Sequence, residues 1–484
     1  MSRLLPLALV LAGACAGGGR APAGRPPNIV FILADDLGYA ELGSYGQSKI
    51  ATPHLDRLAR EGMRFTQAYA GSAVCAPSRC VLMTGRHAGR AYTRNNGNPP
   101  DRLPARPQDG HFPGQTPIPE GEITIAETLK AAGYATAAAG KWGLGYEGSS
   151  GDPLRQGFDH FYGYLCQGHA HNHYPAFLWR DGRKEPLEGN VHGPTGRTHS
   201  QEKFTEEALR VVEANRDRPF FLYLPVVIPH VSIQVPEPEL ARYAGRFPEE
   251  DYQDRSNYHR HPTPRAAYAA MVSYMDRAVG TILDRLRALG LEENTYVFFT
   301  SDNGPTHGRV GGADSAFFGS AGPFRGLKGS LFEGGIRVPF IVRGPGVRAG
   351  TVSDAPIAFY DVLPTLAELA GARAPDGLDG LSFAPLLRGG SAPRHDFLYW
   401  EFPGYGGWQA VRMGDWKGVR RDILQKGNRD PLRIELYDLA KDPGETTDVA
   451  AANPDVVRKI AEIMKREHVP SALFAMPPID RLSK

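Results

Sequence analysis

Cysteine is scarce in this chain, which has four cysteines among 484 residues. So low a number excludes the disulfide-dense scaffold that many small exported proteins use in place of a large core. Cys80 and Cys166 could form one disulfide, although two buried free thiols explain them equally well. Cys15 and Cys75 lie in distinctive sequence contexts that suggest other roles.

An excess of charge of one sign is also absent, because 55 Lys and Arg residues nearly balance 53 Asp and Glu residues. The overall field therefore gives no reason to expect a nucleic-acid or membrane-surface partner, although a local basic pocket is compatible with it. Beyond the N-terminus, no apolar run is long enough to span a bilayer. The 57 glycines and 41 prolines make up about a fifth of the chain, so loops, where sites concentrate, are plentiful.

The N-terminus, MSRLLPLALVLAGACAGGG, has one arginine, a short apolar run and then small residues. This pattern is typical of a secretory signal, so we expect residues 1–25 to be a signal peptide followed by a flexible leader. The stretch LAGAC resembles a bacterial lipoprotein signal in which Cys15 receives the lipid anchor; ordinary cleavage near Ala14 to Ala16 is the alternative. Either interpretation predicts an exported protein, periplasmic or anchored to a bacterial membrane.

Short β-branched runs alternate with amphipathic helices through most of the chain, which predicts an α/β domain over 26–390 with a mostly parallel central sheet flanked by helices. The predicted strands lie within 28–36, 134–140, 218–230, 294–304 and 338–346, and the predicted helices within 52–62, 124–133 and 265–289. From residue 391 the pattern changes to short strands joined by turns, with a helix near 454–467. We expect 391–484 to form a small antiparallel sheet with one covering helix.

Polar residues follow the predicted strands at their carboxyl ends, where open α/β sheets bind ligands. Asp35, Asp36, Asp302 and Asn303 offer only hard oxygen ligands, which suit Ca²⁺ or Mg²⁺ rather than Zn²⁺. The cations that we expect around the same pocket are Arg79, Lys141, His230 and Lys328. A divalent ion together with fixed cations is what a tetrahedral oxyanion such as sulfate or phosphate requires.

The stretch AVCAPSRCVLMTG (73–85) by itself leaves Cys75 open as half of a disulfide hairpin, a metal ligand or a nucleophile. Taken with ADD after the first strand, GKW, SDNG and the loop FRGLKGSLFEGG, it resembles the formylglycine-dependent sulfatases of the alkaline phosphatase superfamily. The order and rough spacing of these motifs fit over about 28–350. The later segment ELYDLAKDPGETTDVA resembles the small domain of that family.

The resemblance implies that a maturation enzyme reads Cys75, Pro77 and Arg79 in the unfolded chain and oxidises Cys75 to formylglycine, an aldehyde. Its hydrate would attack sulfur through one hydroxyl and expel sulfate as the other drives collapse to the aldehyde. A helix beginning at Cys75 would also favour the oxyanion. Cys80 is then interpreted as a packing residue.

The remaining roles also come from the resemblance. It implies that Ca²⁺, or Mg²⁺, is held by Asp35, Asp36, Asp302, Asn303 and the matured residue 75. It places Arg79 and Lys141 beside the nucleophile, His230 near the leaving-group oxygen and Lys328 on the sulfate. The implied substrate is a sulfated carbohydrate or an aryl sulfate.

One departure from the family pattern is Gly143, which stands in GKWGLG where many members have a histidine. That histidine is associated with taking the proton as the hydrate collapses. The stretch CQGHAHNHYP supplies His169, His171 and His173, of which we expect His171 most of all to replace it or to bind substrate, with His173 as a second candidate. His307, close behind Asn303, is a further candidate for the pocket. We interpret His54 and His87 as structural.

Two other functions stay open at the level of sequence. One is a phosphate or phosphonate monoester hydrolase of the same superfamily, since sulfuryl and phosphoryl groups have similar shapes. The other is an inactive surface lipoprotein that binds sulfated glycans, because Gly143 could mark a degenerate site. The identity of the sugar, the mode of attack and the oligomeric state are not encoded in these motifs.

Overall fold

The centre of the molecule is an eleven-stranded mixed sheet, seen in a computed structural model that describes residues 24–99, 102, 110–250, 252, 258–391 and 394–483. The predicted signal segment with Cys15 lies outside these residues, apart from the end of the leader. The strands are β1 Asn28–Asp35, β2 Met63–Tyr69, β3 Ala135–Lys141, β4 His160–Tyr164, β5 Phe177–Arg180, β6 Arg183–Pro186, β7 Phe220–Pro229, β8 Thr295–Ser301, β9 Arg337–Arg343, β10 Thr351–Ser353 and β11 Ile357–Ala358. Their order is β10-β2-β9-β8-β1-β7-β3-β4-β5-β6, with β11 paired to β2.

Five consecutive strands, β8-β1-β7-β3-β4, run parallel, so the predicted α/β class is confirmed. Every residue of β1 and β7 is buried, which is why both read as continuous apolar runs instead of alternating ones. Beyond β8 the direction changes, because β9 is antiparallel to both β8 and β2. The carboxyl ends of the five parallel strands therefore form one edge of the sheet.

Helices cover both faces of this sheet. They are α1 Pro53–Glu61, α2 Cys75–Thr84, α3 Ile125–Ala131, α4 Ser200–Ala214, α5 Glu237–Leu240, α6 Pro264–Ala288, α7 Ser315–Phe318, α8 Glu333–Ile336, α9 Val362–Ala370, α10 Ala384–Leu387, α11 Pro454–Glu467 and α12 Pro477–Asp480. On one face α2, α3 and α9 contribute to a single apolar core, and on the other α1, α4 and α6 contribute to a second one. No helix among the described residues combines the length and apolar character that crossing a membrane needs.

The predicted small antiparallel sheet near the C-terminus is confirmed. It consists of β12 Leu398–Phe402, β13 Trp408–Met413, β14 Trp416–Arg420 and β15 Glu435–Asp438, paired in sequence order. Helix α11 covers one face, where Ile460 and Met464 are buried. From the other face, Trp400 joins the core of the large sheet and donates a hydrogen bond from Nε1 to the Ala70 carbonyl at 2.9 Å. The boundary at residue 391 stays a prediction, and buried contacts run across it.

Candidate active site

Cys75 is the first residue of α2, as the sequence suggested. All ten residues of this helix are buried, and Val74 before it is extended. The segment that leads into α2 packs tightly on this helix, since a Cβ built on Gly71 would lie 2.4 Å from Cβ of Val81. The next amide, of Ala76, donates to Oδ1 of Asn96 at 2.9 Å. The Cys75 side chain is thus fixed at the N-terminal end of a helix that is anchored in the core.

The carboxylates meet at the edge of the sheet, as predicted. Asp35 ends β1, and Asp36 turns the chain in the left-handed region with φ 65°. Asp302 follows the parallel neighbour β8, and its Oδ1 accepts the Asp36 amide at 3.1 Å. The Cys75 thiol lies 3.3 Å from Oδ1 of Asp35. Two adjacent strand ends and one helix start thereby bring four side chains from three distant segments of the sequence to one place.

Three cations neutralise these carboxylates. Lys141 Nζ lies 2.6 Å from Oδ2 of Asp35. Lys328 Nζ lies 2.7 and 2.8 Å from the two oxygens of Asp36 and 3.4 Å from the Cys75 sulfur. Arg79 donates to Oδ2 of Asp302 from Nε at 3.0 Å and from a terminal nitrogen at 2.8 Å, and it also donates to the Lys141 carbonyl.

The surrounding charges set the protonation of the buried groups. Burial alone would raise the pKa of Asp35, but Lys141, His230 and Arg79 hold it well below its usual range. Burial and the Asp35 charge instead raise the pKa of Asp302 to about 7, against the opposing effect of Arg79. Burial and Asp35 likewise raise the pKa of the Cys75 thiol to about 12. The thiol is therefore neutral at physiological pH and is not an activated thiolate.

The donor set fits a hard divalent cation. Ligand atoms of Asp35, Asp36, Cys75 and His230 all lie within 4.8 Å of one another and are buried. Asn303 donates from Nδ2 to Oδ1 of Asp36 at 2.7 Å, while its own Oδ1 is buried without a hydrogen-bond partner. An orphaned amide oxygen beside two carboxylates is a good ligand for Ca²⁺ or Mg²⁺. The site can thus hold such an ion.

The histidines separate into distinct environments. His171, in a turn after β4, stacks on His230 with ring centroids 4.9 Å apart and planes at 12°. His230 donates from Nδ1 to the Val231 carbonyl, so its Nε2, 3.7 Å from Oδ2 of Asp36, carries the lone pair in the neutral ring. His173 donates to the His230 carbonyl at 3.0 Å, which makes it a support for His230. His169 is stacked on Phe112 at 4.1 Å. Only His171 of the three adjoins the carboxylate cluster through a ring contact.

The local structure explains why residue 143 is a glycine. Its φ is +81°, and a Cβ built there would lie 2.2 Å from Nε2 of Gln167. The Gln167 amide therefore fills the space that any side chain at 143 would enter. Neither polar atom of this amide has a hydrogen-bond partner, although both are buried.

His307 lies at the mouth of the site, where its Nε2 is 3.1 Å from the Tyr405 hydroxyl. Three neighbours of the site were missed by the sequence analysis: Thr306, Tyr258 and Tyr405. Thr306 donates to Oδ2 of Asp36 at 2.8 Å, and its position three residues after Asn303 was a usable signal. Tyr258 and Tyr405 come from distant segments, so no local pattern marked them.

A cation-lined carboxylate cluster at the carboxyl edge of a parallel sheet defines an α/β enzyme that acts on anionic esters. The model of the family described as Sulfatase matches residues 27–372. A second model, described as the C-terminal part of N-sulphoglucosamine sulphohydrolase, matches residues 327–469. The chain belongs to the sulfatase family and is a sulfuric ester hydrolase.

Similar proteins cover nearly the whole chain. Human arylsulfatase A is 35% identical over 487 residues, spanning 91% of this chain and 87% of its own length. The N-acetylgalactosamine-6-sulfatase of Canis lupus familiaris is 30% identical, with 95% and 89% covered. The crystal structure of Ps i-CgsB in complex with k-i-k-neocarrahexaose is 27% identical, with a TM-score of 0.75 and 92% and 94% covered.

Proposed function

We propose that this chain hydrolyses sulfate esters of carbohydrates with residue 75 matured to formylglycine and with Ca²⁺ bound beside it. The observation that carries the proposal is the place of Cys75, at the start of a buried helix between the carboxylate of Asp35 and the ammonium of Lys328. The unmodified thiol has its pKa raised to about 12, so it is a poor nucleophile in these surroundings. A chemical change at this residue resolves the contradiction between its central position and its low reactivity.

Once matured and hydrated, residue 75 supplies one hydroxyl as nucleophile and a second that lets sulfate depart. Ca²⁺, held by Asp35, Asp36, Asp302 and Asn303, would supply Lewis-acid stabilisation of the sulfate oxygens. The chain itself fixes the geometry. Lys141, 2.6 Å from Asp35, and Arg79, which donates to the Lys141 carbonyl, place positive charge where a deprotonated hydroxyl is held.

Lys328 and His230 act on the ester and on its leaving group. The ammonium of Lys328, 3.4 Å from the Cys75 sulfur, binds a sulfate oxygen and carries protons that it can donate to the leaving oxygen. His230 is oriented by its Nδ1 bond to the Val231 carbonyl and turns Nε2 towards Asp36. In its neutral form Nε2 accepts a hydrogen bond, so it can receive one from the hydroxyl of the departing alcohol once Lys328 has protonated that oxygen.

His171 takes over the role of the histidine that many family members have at the position of Gly143. Its ring is stacked on His230, and it is partly exposed, so it reaches both the cluster and solvent. Loss of hydration on packing into the site and the nearby His230 hold the pKa of His171 well below its usual range, which keeps the ring neutral and able to accept a proton. We assign to it the proton transfer that accompanies release of sulfate.

A sulfated carbohydrate is the substrate class that the comparisons support. Relatives carry names such as N-acetylgalactosamine-6-sulfatase, and the structure of Ps i-CgsB is a complex with k-i-k-neocarrahexaose. The N-terminal signal pattern predicts export, to the periplasm or to a lipid anchor at Cys15, where polysaccharide substrates are encountered.

The test is an intact-mass measurement of protein made together with a formylglycine-generating enzyme. Maturation should lower the mass of residue 75 by about 18 Da, the difference between a thiol side chain and an aldehyde. Cys75→Ala should abolish turnover of 4-nitrophenyl sulfate, and a chelator should remove activity that Ca²⁺ restores better than Zn²⁺. An unmodified thiol in fully active protein would contradict maturation, and faster turnover of 4-nitrophenyl phosphate would contradict the sulfate preference.

A further inference from the structure

Tyr405 is an exposed aromatic side chain held in an uncommon backbone conformation. It belongs to the connection between β12 and β13 of the small sheet, has φ 49° and is 61% exposed. The other large apolar side chains that are exposed among the described residues are aliphatic. A non-glycine residue in the left-handed region costs about 1 kcal/mol or more, so such residues concentrate at functional positions. The glycines at 404, 406 and 407 surround it and shape a narrow turn.

The Tyr405 ring lies against the loop that carries Lys328. A Cβ built on Gly329 would come within 3.2 Å of the ring, so the ring packs closely on this glycine. The Tyr405 hydroxyl is 3.1 Å from Nε2 of His307, with ring centroids 5.1 Å apart. The lysine loop is itself fixed, because the Gly329 amide donates to the Ala73 carbonyl at 2.8 Å. Tyr405 therefore has a defined position relative to Lys328 and to the approach of α2.

Tyr258 occupies another side of the same entrance. Its ring centroid is 5.1 Å from that of His171 and 6.2 Å from that of His230. Lys328, Asp36 and Cys75 are electrostatic neighbours of both Tyr258 and Tyr405. Two tyrosines from distant segments of the chain thus flank one charged pocket.

We propose that Tyr405, Tyr258 and His307 form the subsite that receives the sugar ring of a sulfated carbohydrate while its sulfate lies at Lys328. The flat face of a tyrosine packs on the C–H face of a pyranose, and the hydroxyl and imidazole at its edge pair with ring hydroxyls. A purely apolar aglycone would leave the His307–Tyr405 pair without new partners. This inference rests on the proposed function and deepens it by naming residues that select the substrate.

The experiment compares Tyr405→Ala, Tyr405→Phe and the remote control Val352→Ala in matured protein. The probes are 4-nitrophenyl sulfate, N-acetylgalactosamine 6-sulfate and a sulfated carrageenan hexasaccharide. For whichever saccharide the unaltered enzyme desulfates, Tyr405→Ala should lower kcat/KM about 3- to 10-fold, mainly through KM, as expected for the loss of one aromatic contact. Turnover of 4-nitrophenyl sulfate should fall less than that of the saccharide, because its ring has no hydroxyl groups to pair with Tyr405 and His307. The exposed edge-strand variant Val352→Ala should behave as the unaltered enzyme on all probes.

Tyr405→Phe separates stacking from hydrogen bonding, because it keeps the ring and removes the hydroxyl that pairs with Nε2 of His307. It should retain more activity on the saccharide than Tyr405→Ala. An equal loss on aryl and saccharide substrates would assign Tyr405 to general support of the lysine loop and overturn the proposal, as would an unchanged saccharide profile. Turnover of the aryl sulfate with no turnover of either saccharide would also overturn it while leaving sulfatase activity intact. Inactivity on every probe after proven maturation would instead contradict the proposed function.

Discussion

At the scale of single residues, six charged side chains set the net charge around residue 75. When Asp35, Asp36 and Asp302 are all ionised, their three negative charges equal the three positive charges of Arg79, Lys141 and Lys328, and the cluster sums to zero. A bound divalent ion would make the sum +2, which attracts a sulfate ester with its single negative charge. The same ion would oppose the rise in the pKa of Asp302 that burial causes. Metal binding and anion binding are therefore coupled at this site.

The first prediction at this scale concerns the three histidines after β4. His171→Ala should lower steady-state turnover of 4-nitrophenyl sulfate by about 100-fold, the lower range for loss of a general base. Since the lost step follows departure of the alcohol, a burst of 4-nitrophenol should precede the slow steady state in stopped-flow traces.

His169→Ala and His173→Ala serve as matched controls, because their rings contact Phe112 and the His230 carbonyl. Both should reduce stability more than they reduce turnover, and neither should give a burst. A His171→Ala enzyme with normal turnover would refute the assignment.

The approach to α2 is the element that positions the nucleophile. The predicted helix start at Cys75 depends on a turn at Gly71, whose amide donates to Oγ of Ser78 at 3.1 Å. Because a Cβ there would meet Val81 at 2.4 Å, Gly71→Ala should shift α2 and cost about 1–3 kcal/mol, the usual range for overpacking. Urea unfolding and kcat measured on the same preparations would check both effects.

The matched control for this change is Gly121→Ala, since no atom lies within 4 Å of a Cβ built there. It should alter the free energy of unfolding by less than about 0.5 kcal/mol, as expected for an uncrowded surface position. Gly71→Ala with stability and kcat equal to those of the control would contradict the view that this turn fixes the nucleophile.

Strand ends were the part of the site that the sequence could predict. Asp35 and Asp302 follow unmistakable apolar runs, and parallel strands bring their carboxyl ends to one edge of a sheet. The antiparallel direction of β9 was not predictable, because it depends on the path of the chain after the lysine loop. Tyr405 was not predictable either, since only the seating of the small sheet brings it to His307. Residue 143 is a glycine because the amide of Gln167 fills the space beside it, and Gln167 lies 24 positions away in the chain.

At the scale of the whole molecule, a buried ionic cluster joins the small sheet to the large one. Lys417 of β14 lies 2.8 Å from Glu333 at the start of α8 and 3.0 Å from Glu445, and all three are fully buried. Glu445 also accepts the Glu333 amide at 2.6 Å. Removing one partner from such a cluster leaves an uncompensated buried charge. The packing of the small sheet against the large one is therefore sensitive to the protonation of this cluster. The same packing holds Tyr405 at the active-site entrance.

The last prediction follows from the pKa of Glu445, which burial and the Glu333 charge raise to about 7 against the opposing effect of Lys417. In the folded chain Glu445 therefore keeps a proton between about pH 4.5 and 7 that the unfolded chain releases. Stability should fall as pH rises through this window, by on the order of 2–3 kcal/mol from this group. The pKa of Glu333 is lowered to about 2, so its own contribution is lost only at more acidic pH. Glu445→Gln should flatten the decline in the free energy of unfolding by urea between pH 5 and 8, whereas the exposed control Glu188→Gln should keep it. If the free energy of unfolding of Glu445→Gln depends on pH in the same way as that of the unaltered chain, protonation of this cluster does not control the packing of the small sheet.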